Sequence, residues 1–190
     1  MRREDVTALI LAGGKATRLG GVDKRAIVID GRTIFERQVE ALRPCVAEII
    51  VSSPRAAGGY RTVVDAAADL GPLAGIAAGL AAAATPWLFV LAGDMPHVHR
   101  ALIDLVLSRG DAEADAVGIR IGGRPEPLCT ALRVVVWRPI VADRITKRHL
   151  KASSLLTDED VRVRWIEEAD VRAIDPLLRV LHNVNAPHDL

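Results

Sequence analysis

The sequence predicts an α/β protein of three layers, in which helices cover both faces of a mostly parallel central sheet. Two observations support this prediction. Over the first two thirds of the 190 residues, apolar runs of strand length alternate with helical patterns, as in chains built from strand–helix–strand units. The run Trp87–Ala92 is apolar throughout, which is typical of a strand with both faces covered.

The first half of the chain shows these elements most clearly. Ile34, Val39 and Leu42 have helical spacing, and Pro44 ends that helix. Pro72 begins a second helix, which is rich in alanine and glycine. Four apolar runs are predicted strands: Val6–Ala12, Glu48–Ser52, Arg61–Val64 and Trp87–Ala92.

The second half of the chain has a less regular pattern. The segment Val134–Ile145 contains Pro139 and is not assigned to a helix or a strand. No repeat, low-complexity linker or clear boundary interrupts the sequence, so we expect a single domain over residues 1–190. The remaining expected elements are a helix at 100–109, strands at Ala116–Ile121 and Val163–Ile166, and a short helix at Asp175–Leu181.

Composition and charge narrow the class of protein. Hydrophobic residues make up 50% and charged residues 26% of the chain, which is typical of a folded globular protein. A formal net charge of +1 provides no basic field for nucleic acid or a membrane surface. Cys45 and Cys129 cannot form a disulfide framework or a zinc cage, and we expect both to fill the core. The N-terminus has no signal-peptide pattern, which favours a cytoplasmic protein.

A glycine-rich loop follows the first predicted strand. Gly13 and Gly14 allow a ligand to approach the backbone closely, and successive backbone N–H groups form an anion-binding concavity. Arg18 and Lys24 add two cations, so the loop predicts a binding site for the polyphosphate of a nucleotide. Its glycines stand at 13, 14, 20 and 21, a spacing that excludes both the Walker A loop and the dinucleotide-binding fingerprint.

Other polar residues are expected near this loop, because ligands bind beyond the carboxyl ends of parallel strands. Asp94 follows the fourth strand and suits Mg²⁺, which takes one or two protein carboxylates. Taken alone, it could also be a helix N-cap or a turn aspartate. Asp65 follows the third strand and could bond a purine or a ribose, or simply begin a turn. Gly71–Gly75 could lie against a base, and Asn183 and Asn185 could contact a polar cofactor.

The sequence contains no recognisable covalent nucleophile. It has no Gly-x-Ser-x-Gly motif, and neither cysteine has a neighbouring histidine to activate it. The chemistry predicted by the loop and by Asp94 is therefore transfer at phosphorus, driven by positioning and charge neutralisation.

The segment Leu-Ala-Gly-Gly-x-x-x-Arg-Leu-Gly-Gly-x-Asp-Lys at 11–24 resembles the signature loop of the molybdenum cofactor guanylyltransferases. These enzymes belong to the nucleotidyltransferase superfamily. The resemblance spans residues 11–187 and continues in three segments: Gly71-Pro72-Leu73-Ala74-Gly75, Gly93-Asp94-Met95-Pro96 and Asn183-Val184-Asn185-Ala186-Pro187. It implies a three-layer, Rossmann-like nucleotidyltransferase fold, with GTP bound by the N-terminal half and the acceptor by the C-terminal part.

The resemblance also implies a reaction and a set of site residues. GMP would pass from GTP to molybdenum–molybdopterin with Mg²⁺ as cofactor, releasing pyrophosphate and forming the guanine dinucleotide cofactor. Arg18, Lys24 and Asp94 would be catalytic, Asp94 would bind the metal, and Asn183 and Asn185 would bind the acceptor. Proteins of molybdenum cofactor synthesis and acceptor molybdoenzymes are further partners that it suggests. The implied nucleotide contacts are Leu11, Ala12, Gly13, Gly14, Lys24, Ser52, Asp65, Gly71, Pro72, Leu73 and Asp94.

Two departures from the family pattern leave alternatives open. Ser52 and Ser53 stand where an asparagine is expected, and Glu126 adds a charge where the family often has Gln-Pro-Leu. An adenosylcobinamide-phosphate guanylyltransferase has a similar size and loop, and a non-catalytic nucleotide-binding protein of the same fold is a further alternative. A cytidylyltransferase of the same pathway is disfavoured, because its loop typically reads Leu-Ala-Ala-Gly.

Overall fold

The computed structural model describes residues 1–12, 26–64, 70–157 and 160–184. The strands within these ranges are β1 (Val6–Leu11), β2 (Val28–Ile29), β3 (Arg32–Thr33), β4 (Glu48–Ser52), β5 (Arg61–Val63), β6 (Trp87–Ala92), β7 (Ala116–Ile121), β8 (Arg124–Arg133) and β9 (Val163–Glu167). The α-helices are α1 (Ile34–Leu42), α2 (Pro72–Ala82), α3 (Arg100–Ser108), α4 (Val134–Thr146) and α5 (Glu168–Arg172).

Seven of these strands form one sheet in the order β5-β4-β1-β6-β8-β7-β9, and β2 pairs with β3 in a separate hairpin. Strands β5, β4, β1 and β6 are parallel neighbours. Strand β8 is antiparallel to both β6 and β7, whereas β9 is parallel to β7. Only β8 runs against the common direction in this sheet, which confirms the predicted mostly parallel arrangement.

Different helices cover the two faces of the sheet. On one face, Ile10 of β1 belongs to a buried cluster with Leu42 of α1 and Val106 of α3. On the other face, Leu9 belongs to a second cluster with Ile76 of α2, as well as with side chains of α4. Because neighbouring residues of β1 enter opposite clusters, both faces of the strand are covered. The α/β prediction with three layers is confirmed.

Both cysteines lie inside these layers, as expected for core fillers. Burial raises the pKa of Cys45 to about 11 and that of Cys129 to about 12. Both thiols therefore stay protonated at neutral pH, and neither has the thiolate character of a nucleophile. In the part of the chain that the structure describes, no helix is both long enough and apolar enough to cross a membrane.

Three features of the second half differ from the sequence-based expectation. Strand β8 was not predicted, because Pro125 and Pro127 are unusual within a strand. The unassigned segment around Pro139 forms the helix α4. The helix expected at Asp175–Leu181 is wrong: only a 3₁₀ turn, Arg179–Leu181, forms there. The Asp175 carboxylate instead accepts backbone N–H groups at 3.0 and 3.2 Å and stabilises a turn.

Candidate active site

Three parallel strands of the sheet end in one row. Leu11 of β1 pairs in register with Ser52 of β4 and with Ala92 of β6. Two hydrogen bonds continue this pairing directly after the strands end. The N–H of Ala12 donates to the carbonyl of Ser52, and the N–H of Gly93 donates to the carbonyl of Leu11, both at 2.9 Å. The segments that follow the three strands therefore begin side by side at one edge of the sheet.

The turn after β6 lies tightly against the end of β1. A Cβ placed on Gly93 would lie 2.6 Å from the carbonyl oxygen of Leu11, so this close approach requires glycine. Asp94 follows and is half-buried. It does not cap a helix N-terminus, because α3 begins only at Arg100. Its carboxylate belongs to a turn at the carboxyl edge of the sheet, the region where ligands bind in such folds.

The C-terminal segment joins the same turn. The backbone N–H of Val184 donates to the carbonyl oxygen of Asp94 at 2.8 Å. Val184 is buried, and the neighbouring Asn183 is exposed. Two predicted site residues that lie far apart in the sequence, Asp94 and Asn183, are thereby brought next to each other.

Helix α2 begins at this edge and packs on the ends of β1 and β4. A Cβ on Gly75 would lie 2.6 Å from Leu11 Cδ2 and 2.8 Å from Ser52 Oγ. The Ser52 side chain is 1% exposed and faces α2. Pro72 occupies the first turn of the helix, and Gly71 precedes it with φ +60° and ψ −151°, a conformation that only glycine adopts readily.

Replacing Gly71 by alanine is expected to lower the free energy of unfolding by about 1–3 kcal/mol through backbone strain. A Cβ added at Gly71 would have no atom within 4 Å, so a steric clash would not contribute to the loss of stability. Chemical denaturation would measure the loss. Gly110→Ala serves as a control, since Gly110 does not have a positive φ. A Gly71→Ala protein as stable as the wild type would contradict the assigned backbone conformation.

The structure brings together the predicted site residues that it describes: Leu11, Ala12, Ser52, Gly71, Pro72, Leu73, Asp94 and Asn183. Leu73 is fully buried, so it presents no exposed surface at this edge. The rest of the predicted site lies outside the described residues and stays a prediction. It comprises Gly13, Gly14, Arg18, Lys24, Asp65 and Asn185.

Two further polar residues lie near this edge: Glu126, which the sequence marked as a departure from the family pattern, and Gln38, which had no clear signal in the sequence. The last pair between β6 and β8 is Leu91 with Cys129, so the earlier part of β8, including Glu126, extends beyond the carboxyl end of β6. Burial raises the pKa of the Glu126 carboxyl. Gln38 of α1 is fully buried and bonds the turn after β6. A single glutamine in an amphipathic helix carries no pattern that identifies such a contact.

The Asp94 carboxylate at this edge fits one class of metal site. Within the described ranges, no three His, Cys, Asp or Glu side chains cluster as they would in a closed metal cage. Asp94 provides a half-buried carboxylate in the turn after β6, next to the end of β1. This donor set fits Mg²⁺, which needs one or two protein carboxylates and takes its other ligands from water and substrate phosphates.

Comparison with known proteins agrees with this architecture. A family model described as MobA-like NTP transferase domain matches residues 8–163. A Pseudomonas putida protein named molybdenum cofactor guanylyltransferase is 39% identical over 188 residues, covering 96% of this chain and 94% of that protein. A Methanosarcina acetivorans protein named probable molybdenum cofactor guanylyltransferase is 31% identical over 205 residues, covering 100% of this chain and 90% of that protein.

A solved structure supports the fold. Molybdopterin-guanine dinucleotide biosynthesis protein A from Archaeoglobus fulgidus superposes with a TM-score of 0.79 at 22% sequence identity, covering 96% of this chain and 94% of that chain. The likeness confirms the predicted Rossmann-like nucleotidyltransferase fold. Because the family model matches most of the chain and relatives align along nearly all of it, this chain belongs to the MobA-like NTP transferase domain family.

Proposed function

We propose that this protein is a Mg²⁺-dependent guanylyltransferase that transfers GMP from GTP to molybdenum–molybdopterin. The observation that carries the proposal is the alignment, over nearly the whole chain, with a relative named molybdenum cofactor guanylyltransferase. The arrangement of Leu11, Ser52 and Asp94 at one sheet edge supports it, since nucleotidyl transfer needs the phosphates, a cation and the acceptor held together.

In the proposed reaction, an oxygen of the acceptor's terminal phosphate attacks the α-phosphorus of GTP. A new P–O bond forms as the bond to the bridging α–β oxygen breaks, and pyrophosphate leaves with that electron pair. Arg18 and Lys24 would hold the phosphates and offset their charge. Asp94 would hold Mg²⁺, which when bound neutralises charge on the phosphate oxygens. Leu11 and Ala12 would contact the nucleotide through their backbone.

The proposed division of labour places GTP on the N-terminal half of a single domain and the acceptor on its C-terminal part. The bond between Val184 N–H and the Asp94 carbonyl supports this division. It holds Asn183, a proposed acceptor contact, beside the proposed metal ligand. The product would then pass to acceptor molybdoenzymes, which makes these proteins and others of cofactor synthesis the expected partners.

The decisive experiment measures pyrophosphate released from GTP when molybdenum–molybdopterin and cobinamide phosphate are offered separately. Release with molybdenum–molybdopterin alone is the expected result. Release with cobinamide phosphate alone would overturn the acceptor assignment and keep the nucleotidyltransferase class. Release with neither acceptor would contradict the proposed activity.

Guanine selectivity is expected to appear in thermal stability. A ligand present at 100 times its Kd stabilises the native state by about 2.7 kcal/mol, which raises the Tm of a protein of this size by roughly 5–10 °C. GTP with Mg²⁺ should produce such a shift, whereas CTP and ATP at the same concentration should produce less than half of it. Equal shifts with all three nucleotides would argue against a guanine-specific site.

A further inference from the structure

We propose that Gln38 is a positioning residue, whose side-chain amide fixes the turn that carries Asp94. This inference rests on the proposed function, in which the Asp94 carboxylate holds the divalent cation. Gln38 lies in α1, on the face of the sheet that α1 and α3 cover. It does not reach the nucleotide or the acceptor itself, because its side chain is fully buried.

One amide group spans the turn. Gln38 Nε2 donates to the carbonyl oxygen of Ala92 at 2.7 Å and to that of Met95 at 3.2 Å. Gly93 and Asp94 lie between these two carbonyls in the chain. Both ends of the turn are therefore fixed to the same nitrogen, which restricts how far the Asp94 backbone can move relative to the end of β6.

The chemistry of the contact explains why a glutamine is present. Two backbone carbonyls need two N–H donors, and a neutral amide nitrogen supplies both. The opposite amide orientation would place Oε1 against two carbonyl oxygens, so the hydrogen-bond network itself assigns the orientation. Within the part of the chain that the structure describes, Oε1 is buried without a hydrogen-bond partner.

A buried amide oxygen without a hydrogen-bond partner destabilises the folded state. If packing alone determined the residue at this position, an apolar side chain would be favoured over Gln38. The adjacent buried residues of α1, Val39 and Leu42, are apolar. The amide of Gln38 is therefore best explained by its two donated bonds and not by packing.

Backbone contacts hold the turn from two other directions. Gly93 N–H donates to Leu11 of β1, and Val184 N–H donates to Asp94. Gln38 supplies the side-chain contact, so it can be altered while the backbone contacts are kept. Residues outside the metal coordination that orient its ligands typically change metal affinity or activity by about 10–100-fold when substituted.

The test compares Gln38→Met with a matched control. Methionine keeps the length and helix propensity of glutamine but removes both donors. The control is Thr130→Val, which also removes a fully buried side-chain donor, in this case to the carbonyl of Val117 at 2.6 Å. Mn²⁺ serves as the spectroscopic probe: its affinity in the presence of GTP is measured by electron paramagnetic resonance. The Mg²⁺ concentration for half-maximal pyrophosphate release and the Tm are measured alongside.

We expect Gln38→Met to weaken Mn²⁺ binding by about tenfold and to raise the Mg²⁺ requirement by a similar factor. GTP binding in the presence of a chelator should be unchanged. Thr130→Val should lower the Tm with no effect on either metal measurement. If Gln38→Met does not fold, Gln38→Asn replaces it, because the shorter amide cannot reach both carbonyls and should show the same metal effect.

Wild-type metal affinity in the folded Gln38 variants would overturn the inference. The inference would also be overturned if Thr130→Val changed the metal measurements as much as the Gln38 variants do. Weaker metal binding would then be a consequence of general destabilisation. A wild-type protein that releases no pyrophosphate with either acceptor would instead contradict the proposed function. The two failures are thus distinguished by the wild-type assay.

Discussion

Asp94→Asn is expected to lower the rate of pyrophosphate release from GTP by roughly 10²–10³-fold while the protein stays folded. Charge stabilisation by a bound metal ion contributes several kcal/mol to such transition states, and each 1.36 kcal/mol corresponds to a factor of ten in rate. Asparagine has nearly the same shape as aspartate but no negative charge. The bond from Val184 goes to the backbone carbonyl of Asp94, so the substitution leaves it in place.

Asp143→Asn is the matched control for this change. Asp143 lies on α4, is 56% exposed and pairs with Lys147 one helical turn away, an interaction worth well under 1 kcal/mol at a surface. Its substitution should leave turnover unchanged. A rate for Asp94→Asn within a factor of three of the wild type would contradict the proposed metal ligand. A wild-type protein that itself releases no pyrophosphate would instead favour the alternative of a nucleotide-binding protein without catalysis.

The position of Asp94 could be predicted from the sequence because it depends on a simple property of the chain. A buried parallel strand such as Trp87–Ala92 is apolar throughout, and the polar residue after it lies at the carboxyl edge of the sheet. Leu11 and Ser52 were expected in the site only through the family resemblance, and the register that places them in one row comes from the structure. For Asp94, local pattern and sheet geometry agree, so its place at this edge could be inferred from the residues alone.

Where pattern and structure disagree, tertiary contacts decide. Pro125 and Pro127 weaken the strand signal of β8, yet later residues of that strand pair with β6 and β7. Pro139 interrupts the helical signal of α4, although Trp137 and Val141 on either side are buried in the core. Gln38 contacts a turn more than 50 residues away. No local periodicity encodes such a contact, so only the structure could identify it.

Gly93→Ala is expected to destabilise the protein by about 3 kcal/mol, lowering its Tm by roughly 6–12 °C. The new Cβ would lie 2.6 Å from the carbonyl oxygen of Leu11 and 3.3 Å from the Cα of Ala12. Both are backbone atoms, so relief requires β1 and the turn after β6 to separate. That movement would displace Asp94 relative to the nucleotide. A displacement of about 1 Å can reduce a rate by about 100-fold.

Gly110→Ala separates this effect from the general cost of adding a methyl group. Its Cβ would lie 2.4 Å from Cε and 2.9 Å from Cγ of Met1. These distances are comparably short, but they are to an unbranched, flexible side chain that can rotate away. Neither Gly93 nor Gly110 has a positive φ, so backbone conformation does not distinguish the two sites. Thermal denaturation and pyrophosphate release should therefore be near wild type for Gly110→Ala and strongly reduced for Gly93→Ala. Equal, small effects for the two variants would mean that the ends of β1 and β6 can separate without cost, and the rigid placement of Asp94 would be wrong.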